Sequence, residues 1–364
     1  MKALSAVYGR VARLRRSWYA RRPHARRTLQ RPVISVGNLV VGGSGKTPVV
    51  AAVARLLLDA GERPSILSRG YARRGAEGVV VVSDGVTRLV SVEQAGDEPW
   101  MLATSLPSVP VVVSADRYHA GSLAERQFGC TVHLLDDGFQ HLHLARDVDL
   151  LLVHPKDLDD RVLPAGRLRE PHDAAAAADA VLVSATAGEA EGVAAALGVR
   201  TMFTLEPRFG AARWLGESPD GSAGPAGGKV VAVAGIARPE RFFDALRALG
   251  WDVVREMPFP DHHWFAPADH ARIAAAVQEC GADGVITTEK DAARLHGVAD
   301  KWGRDSFSED IRVSPPRKMS PDPIYPPPHV AAPIWAVLPT DVAIEPREAF
   351  VAWLLARLRE RRGA

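Results

Sequence analysis

Val33-Ile34-Ser35-Val36-Gly37-Asn38-Leu39-Val40-Val41-Gly42-Gly43-Ser44-Gly45-Lys46-Thr47 is the stretch on which the fold turns. Val33 to Val36 reads as a short buried strand. Beyond Thr47, the residues Val49, Val50, Val53, Leu56 and Leu57 fall at helical spacing. A strand, a glycine-rich turn and a helix in that order make a phosphate cradle. The glycines expose backbone N–H groups, and the positive end of the helix faces the same point. Lys46 brings a charge to the β- and γ-phosphates, and Thr47 offers its hydroxyl to Mg²⁺. Pro48 sits in the first helical turn, where its missing N–H costs nothing. The general pattern asks for glycine five residues before Gly45, and Val40 stands there instead. The first turn of the loop is therefore expected to be built differently, with help from Gly37 and Asn38. Val40, Val41, Gly42, Gly43, Ser44, Gly45, Lys46 and Thr47 are the expected nucleotide-binding residues. The plain alternative is a structural turn that happens to precede Lys-Thr.

Working outward, Ser65 to Leu67, Gly78 to Ser83, Val109 to Val113, Val132 to Leu135 and Val148 to Val153 read as further strands. Strands alternating with helices imply an α/β sandwich with a largely parallel sheet. Gly216 to Gly228 is a run of Gly, Ser, Pro and Ala and reads as a linker. After it the pattern restarts, with strands at Lys229–Ala234 and Val285–Thr287 and a helix over Pro239–Leu249. Eight prolines between Pro315 and Pro333 mark a surface insertion at about 298–333. A helix over Pro346–Arg362 ends the chain. The expected fold is a P-loop NTPase-like α/β/α sandwich over residues 32–222, with a second, smaller α/β domain over residues 228–364. Two domains also suit a chain of 364 residues, which is long for one core.

The charge is unevenly placed. Residues 1–31 hold ten of the 45 Lys and Arg and no acid, while the whole chain nets only +2. The body is thus mildly acidic, which argues against a general nucleic-acid-binding face. No apolar run approaches the roughly 20 residues that span a bilayer, and the N-terminus lacks the apolar core of a signal peptide. Leu4, Val7, Val11, Leu14 and Trp18 recur at three- and four-residue steps, with Lys2, Arg10, Arg13, Arg15 and Arg16 around them. Such a helix suits the surface of an anionic membrane; the alternative is a helix packed on the core with solvated arginines. Cys130 and Cys280, far apart, suggest neither a disulfide framework nor a zinc site.

Further residues carry chemistry. Val132-His133-Leu134-Leu135-Asp136-Asp137 is an apolar strand ending in acid. Asp136 and Asp137 can hold Mg²⁺ beside the phosphate loop, Thr47 completing the set, or can be a turn signal only. Gly96-Asp97-Glu98-Pro99 opens a helix, where Asp97 is either functional or a cap. Ser68-Arg69-Gly70-Tyr71, Ala115-Asp116-Arg117 and Leu168-Arg169-Glu170-Pro171 each put an arginine at an element end, suited to bidentate phosphate contact or to an ordinary ion pair. Asp261-His262-His263 has the look of a metal half-site, but neighbouring side chains diverge and no third ligand is evident. Asn38 is the only asparagine of the chain, so the Asn-Lys-x-Asp guanine-reading motif cannot exist and ATP is favoured.

Taken as an ordered set, these motifs resemble the tetraacyldisaccharide 4′-kinases, the lipid A kinases of Gram-negative bacteria. Leu135 to His141, Leu163-Pro164-Ala165-Gly166 and Thr288-Glu289-Lys290-Asp291 belong to the set with those above. The resemblance covers about Met1 to Leu295 and resumes near Pro333, and the family tolerates Val40; the proline-rich insertion is not part of its pattern. It implies ATP- and Mg²⁺-dependent phosphorylation of the 4′-hydroxyl of a lipid A disaccharide 1-phosphate precursor. It also implies two α/β/α domains with the active site in the cleft between them, and peripheral attachment to the cytoplasmic face of the inner membrane. Asp97 and His262 match a catalytic carboxylate–imidazole pair, with Lys46 the third catalytic residue. Ser68, Arg69, Tyr71, Arg117, His141, Arg169 and Glu170 are expected to bind the acceptor. Two other classes stand beside this one. A nucleotide-driven switch or metallochaperone would want a guanine motif and clustered Cys/His ligands, and a membrane scaffold would not need Lys46-Thr47 and Asp136-Asp137 intact.

Overall fold

The structure is a computed structural model that describes residues 1–43, 45–71, 73, 78–215, 224–225, 227–302 and 333–363. The chain divides into two units, Met1–Phe209 with Thr340–Ala364, and Gly210–Pro339. The first unit holds strands β1 (Val33–Asn38), β2 (Pro64–Ser68), β3 (Val80–Asp84), β4 (Pro110–Val113), β5 (Val132–Asp136), β6 (Val148–Val153), β7 (Ala180–Val183) and β8 (Met202–Phe209). Its helices are α1 (Lys2–Arg21), α2 (Lys46–Asp59), α3 (Val92–Ala95), α4 (Asp97–Ser105), α5 (Arg117–Gln127) and α6 (Ala187–Leu197). The second unit follows with β9 (Arg213–Trp214), β10 (Lys229–Ala234), α7 (Pro239–Ala248), β11 (Asp252–Pro258), α8 (Pro267–Cys280), β12 (Gly284–Thr288), α9 (Glu289–Trp302) and β13 (Trp335–Leu338). The chain then returns to the first unit as β14 (Thr340–Glu345) and α10 (Arg347–Gly363).

Among the described residues the first sheet has nine strands in the order β14-β8-β7-β6-β1-β5-β2-β4-β3. Its middle pairs are parallel, and only the edge pairs β14·β8 and β3·β4 are antiparallel. Parallel strands covered on both faces need apolar residues in unbroken runs, as in β6, where every residue is buried. One face packs α2, α4 and α10. The other packs α5 on the β1, β5, β2 and β4 side, and α6 on the β6 and β7 side. β1 lies between β5 and β6. The strands on either side lead away in opposite directions, so the carboxyl end of β1 is a switch point, where open α/β sheets hold ligands.

Among the described residues the second unit has a five-stranded sheet, β11-β10-β12-β13-β9. Its core holds Phe242, Phe243 and Leu246 of α7 on one face. On the other lie Ile273 and Ala276 of α8 and Leu295 of α9.

The division differs from the sequence reading, which gave everything after residue 228 to the second domain. β14 pairs with β8 from Thr340↔Phe209 to Glu345↔Thr204, and Ile344, Phe350, Leu354 and Leu358 join the core of the first unit. Composition could not reveal this return, because a strand carries no mark of its partner. Most of the expected linker and of the proline-rich insertion, residues 216–223, 226 and 303–332, lies outside the described residues.

Helix α1 presents two seams. Ser5, Gly9, Ala12, Arg16 and Tyr19 are half-buried or buried against the first unit, at three- and four-residue steps. Leu4, Val7, Val11, Leu14 and Trp18 are exposed, centred about 140° round the helix at 100° per residue. The apolar stripe faces away from the first unit, and the helix packs on it through the other seam instead. The arginines are divided in a way the sequence did not reveal: Arg13 pairs with Asp173 at 2.6 Å and Arg16 with Glu170 at 2.7 Å, fastening the helix down. Among the described residues no helix is long and apolar enough to cross a membrane.

Candidate phosphoryl-transfer site

β1 delivers the glycine loop, and α2 starts directly behind it. Gly42 and Gly45 take φ of +97° and +77°, a region that favours glycine. Val40 is not among the positive-φ residues and is buried. A short antiparallel bridge secures it, with the Val41 N–H donating to Arg167 O at 2.8 Å and the Arg169 N–H to Leu39 O at 2.6 Å. A second strand-like segment thus braces the turn that glycine shapes in the general pattern. Gly37 answers a different need: a Cβ there would lie 2.5 Å from Phe139 Cβ and 2.8 Å from Phe139 N.

Asn38 ties the loop to the acidic end of β5. Its Oδ1 accepts from Lys46 Nζ at 3.3 Å and also from Arg169 Nη2. Arg169 forks onto Asp137 at 2.8 and 2.9 Å and donates through Nε to Val40 O at 3.2 Å. Lys46 Nζ stands 3.7 Å from the Asp137 carboxylate. Burial works against the charge of Asp137, but the Arg169 hydrogen bonds and the charges of Lys46 and Arg169 leave its pKa lowered. The two adjacent aspartates therefore differ. Asp136 is buried, and burial together with the negative charges of Glu98 and Asp137 raises its pKa. Its Oδ2 accepts from Ser68 Oγ at 3.2 Å, while Oδ1 has no hydrogen-bond partner among the described residues.

Arg117 is buried beside this pair; it donates to Ala115 O at 3.2 Å, while its Nε is unpartnered among the described residues. Burial lowers its pKa, against the pull of Asp136 and Asp137 and with the repulsion of Arg69. His141 Nε2 is likewise buried and unpartnered, and burial followed by the charge of Arg117 lowers the ring to about 4. Orphaned buried donors and acceptors of this kind are rare in native proteins without a ligand or water to meet them.

The first unit thus brings together Lys46, Asp136, Asp137, Arg169, Ser68, Arg69, Arg117 and His141. Thr47 is buried in the first turn of α2. Ser44 lies outside the described residues. Glu170 is buried with both carboxylate oxygens on Arg16. Tyr71 is exposed. Asp97 is buried as the first residue of α4, its Oδ1 accepting the Glu98 N–H at 3.0 Å. The cap position itself belongs to Gly96, at φ +87°. His262 belongs to the second unit and has a left-handed φ of +62°. Lys290 Nζ lies 3.3 Å from its Nε2 and Arg294 Nη2 3.3 Å from its Nδ1. His263 pairs with Asp269 at 2.8 Å.

Local sequence offered no partners for Asn38, placed Arg16 only on a cationic surface, and assigned Phe139 no contact. A lone asparagine beside the glycine loop was the available signal for the first; the others depend on contacts more than a hundred residues apart.

A glycine loop on a central parallel strand, with a lysine behind it and an acid at the end of the neighbouring strand, defines a P-loop phosphotransferase. Residues 1–320 match the family described as Tetraacyldisaccharide-1-P 4′-kinase, and the chain belongs to it. Among its relatives, the Tetraacyldisaccharide 4′-kinase of Geobacter sulfurreducens is 46% identical over 299 residues, covering 80% of this chain and 82% of that one. The protein of the same name from Bradyrhizobium diazoefficiens is 44% identical over 271 residues, 73% and 75% of the two chains. The crystal structure of LpxK from Aquifex aeolicus in complex with ATP superposes with a TM-score of 0.71 at 32% identity, covering 98% of each chain.

Proposed function

We propose that this chain transfers the γ-phosphoryl group of ATP to the 4′-hydroxyl of a tetraacyldisaccharide 1-phosphate at a membrane surface. The observation that carries the reading is the Asn38–Lys46–Asp137–Arg169 network behind the glycine loop. It holds a lysine and a helix N-terminus toward the phosphates. ATP is supported by the Aquifex aeolicus structure and by the lack of a guanine-reading asparagine.

Transfer of this kind is mostly positioning and charge neutralisation. Lys46 and the loop N–H groups hold the phosphates, and Lys46 offsets charge as it shifts. Thr47 and Asp136 fit a magnesium site: Asp136 keeps an unpartnered oxygen, whereas Asp137 spends both of its oxygens on Arg169. Among the described residues no group of three or more His, Cys, Asp or Glu side chains could hold a metal. One or two protein ligands completed by phosphates and water is how magnesium is usually held. When bound, the ion offsets negative charge on the phosphates. Asp97 is the proposed base for the hydroxyl proton, with His262 assisting it. Ser68, Arg69, Tyr71, Arg117, His141 and Arg169 are the proposed acceptor-side residues; Glu170 has both carboxylate oxygens on Arg16. The exposed stripe of α1 supports peripheral attachment to an anionic membrane, the cytoplasmic face of the inner membrane.

The test is incubation with radiolabelled ATP, Mg²⁺ and the disaccharide 1-phosphate in mixed micelles. Stoichiometric label on the lipid is expected, falling by about 10²–10³ in Lys46→Ala. Label that stays off the lipid, or near-native turnover in a folded Lys46→Ala protein, would remove this reading.

A further inference from the structure

The inner seam of α1 reaches the nucleotide loop through one side chain. Arg16 donates to both oxygens of Glu170, Nε at 2.7 Å and Nη2 at 2.8 Å, and Nη2 also donates to Phe139 O at 3.2 Å. Its Cζ lies 4.3 Å from the centre of the Phe139 ring. These two anchor points flank the site. Phe139 comes two residues after Asp137, and its backbone and Cβ are the atoms pressed on Gly37. Glu170 follows Arg169, whose guanidinium binds Asp137 and Asn38. Gln140 adds a strand to the same tether: its amide donates to Asn38 O at 3.0 Å, and its carbonyl accepts from Arg15 at 3.2 Å.

The charges alternate from helix to loop: Arg16, Glu170, Arg169, Asp137, Lys46. Glu170 is 4% exposed, so its carboxylate has little access to bulk water. A buried carboxylate stripped of its partner is strongly unfavourable, and the next guanidinium along the chain is Arg169. Without Arg16, Glu170 is left charged and unpaired one residue from Arg169, the segment that carries Arg169 loses its anchor on α1, and the brace behind Lys46 loosens.

We infer that Arg16 is a positioning residue for the nucleotide site, setting Arg169 and hence Asn38, Asp137 and Lys46 through Glu170 and the Phe139 carbonyl. The same helix carries the exposed apolar stripe on its other seam, so the seating of α1 and the geometry of the phosphate loop are one mechanical element. The inference rests on the proposed nucleotide-site reading.

The test uses the full chain in mixed micelles, with kcat, the KM for ATP and the affinity for a fluorescent ATP analogue measured separately. Arg16→Met should raise the KM for ATP about tenfold or more, since small misplacements of a site cost up to about 10²-fold. Sedimentation with phosphatidylglycerol vesicles should be unchanged. Adding Glu170→Gln to Arg16→Met removes the stranded charge and should recover at least about threefold in KM. Arg16→Lys keeps the charge but not the planar fork, and its KM should rise by an intermediate amount. A purely structural role would lower kcat with the folded fraction and leave the KM for ATP at the wild-type value, and that result overturns the inference. If Arg16→Met does not fold, Arg16→Lys decides alone, an unchanged KM again overturning it. Lys46→Ala is the control: wild-type analogue affinity in that variant would instead sink the nucleotide-site reading.

Discussion

Replacing Val7, Val11 and Leu14 by serine strips the centre of the outer seam of α1. The side chains stand 60%, 58% and 69% exposed, so their apolar surface is still available to a lipid phase. Full burial of an aliphatic side chain stabilises by about 1.5–3 kcal/mol. Scaling by an exposed share of about 60% leaves about 1–2 kcal/mol each, or about 3–6 kcal/mol for the three. An interfacial helix sinks only about 5–10 Å into the headgroup boundary, which favours the low end. At 1.4 kcal/mol per factor of ten, the vesicle partition coefficient should fall by about 10²-fold. The fold should hold, because the inner seam with Ser5, Gly9, Arg16 and Tyr19 is untouched and exposed substitutions usually shift stability by about 0.5 kcal/mol or less. Sedimentation with phosphatidylglycerol vesicles at fixed salt measures the effect, alongside affinity for an ATP analogue, which should not change. Wild-type partition in the triple variant would refute the reasoning, because the stripe would then contribute nothing to docking.

Three other outcomes are expected. Asp97→Asn should keep its melting temperature and nucleotide affinity yet lose at least about 10² in turnover, with His262→Ala losing less; normal turnover in Asp97→Asn makes Asp97 a structural residue of the first turn of α4. Gly37→Ala drives a Cβ to 2.5 Å from Phe139 and should cost about 1–3 kcal/mol of stability as overpacking, together with nucleotide affinity; a wild-type urea midpoint would count against the close approach. The third concerns pH. Burial opposes both charges of the His133–Glu125 pair, 3.3 Å apart. Hydrogen bonds to Cys130 and Glu125 nevertheless leave His133 raised from 6.5, and those from His133 and the Arg31 N–H leave Glu125 lowered from 4.5. A raised histidine contributes fully below its unfolded value and loses that contribution as pH rises through its folded value; a lowered glutamate contributes above its unfolded value and loses that as pH falls. The urea midpoint should therefore fall as pH rises beyond the ordinary histidine range, and Glu125→Gln should flatten the decline. Equal slopes in wild type and variant would count against the pair.

How much was legible follows from the range of each signal. The glycine loop, the strand before it and the acid at the end of β5 are written in fewer than a dozen residues each, and local spacing reads them. The bridge that accommodates Val40 joins residues 40 and 168, and no local pattern encodes it. Asp136 and Asp137 look interchangeable in sequence; only the fork of Arg169 separates a paired carboxylate from one with a vacant oxygen. The N-terminal arginines read as a cationic surface, and the structure turns Arg16 inward onto Glu170, while Arg13 pairs with Asp173 at the surface.

The return of the chain to its first unit has a consequence for synthesis. Ile344, Phe350, Leu354 and Leu358 are fully buried in the same core as α2 and β1, yet they leave the ribosome after every residue of the second unit. Until they emerge, the part of that face which α10 covers and the edge of β8 stay open, an unpaired strand edge of the kind that invites wrong pairing. The phosphate loop, encoded near the start, therefore acquires its finished scaffold last. A premature stop between Pro339 and Phe350 would leave both sheets largely translated and the core without α10, a product for proteolysis rather than for partial activity.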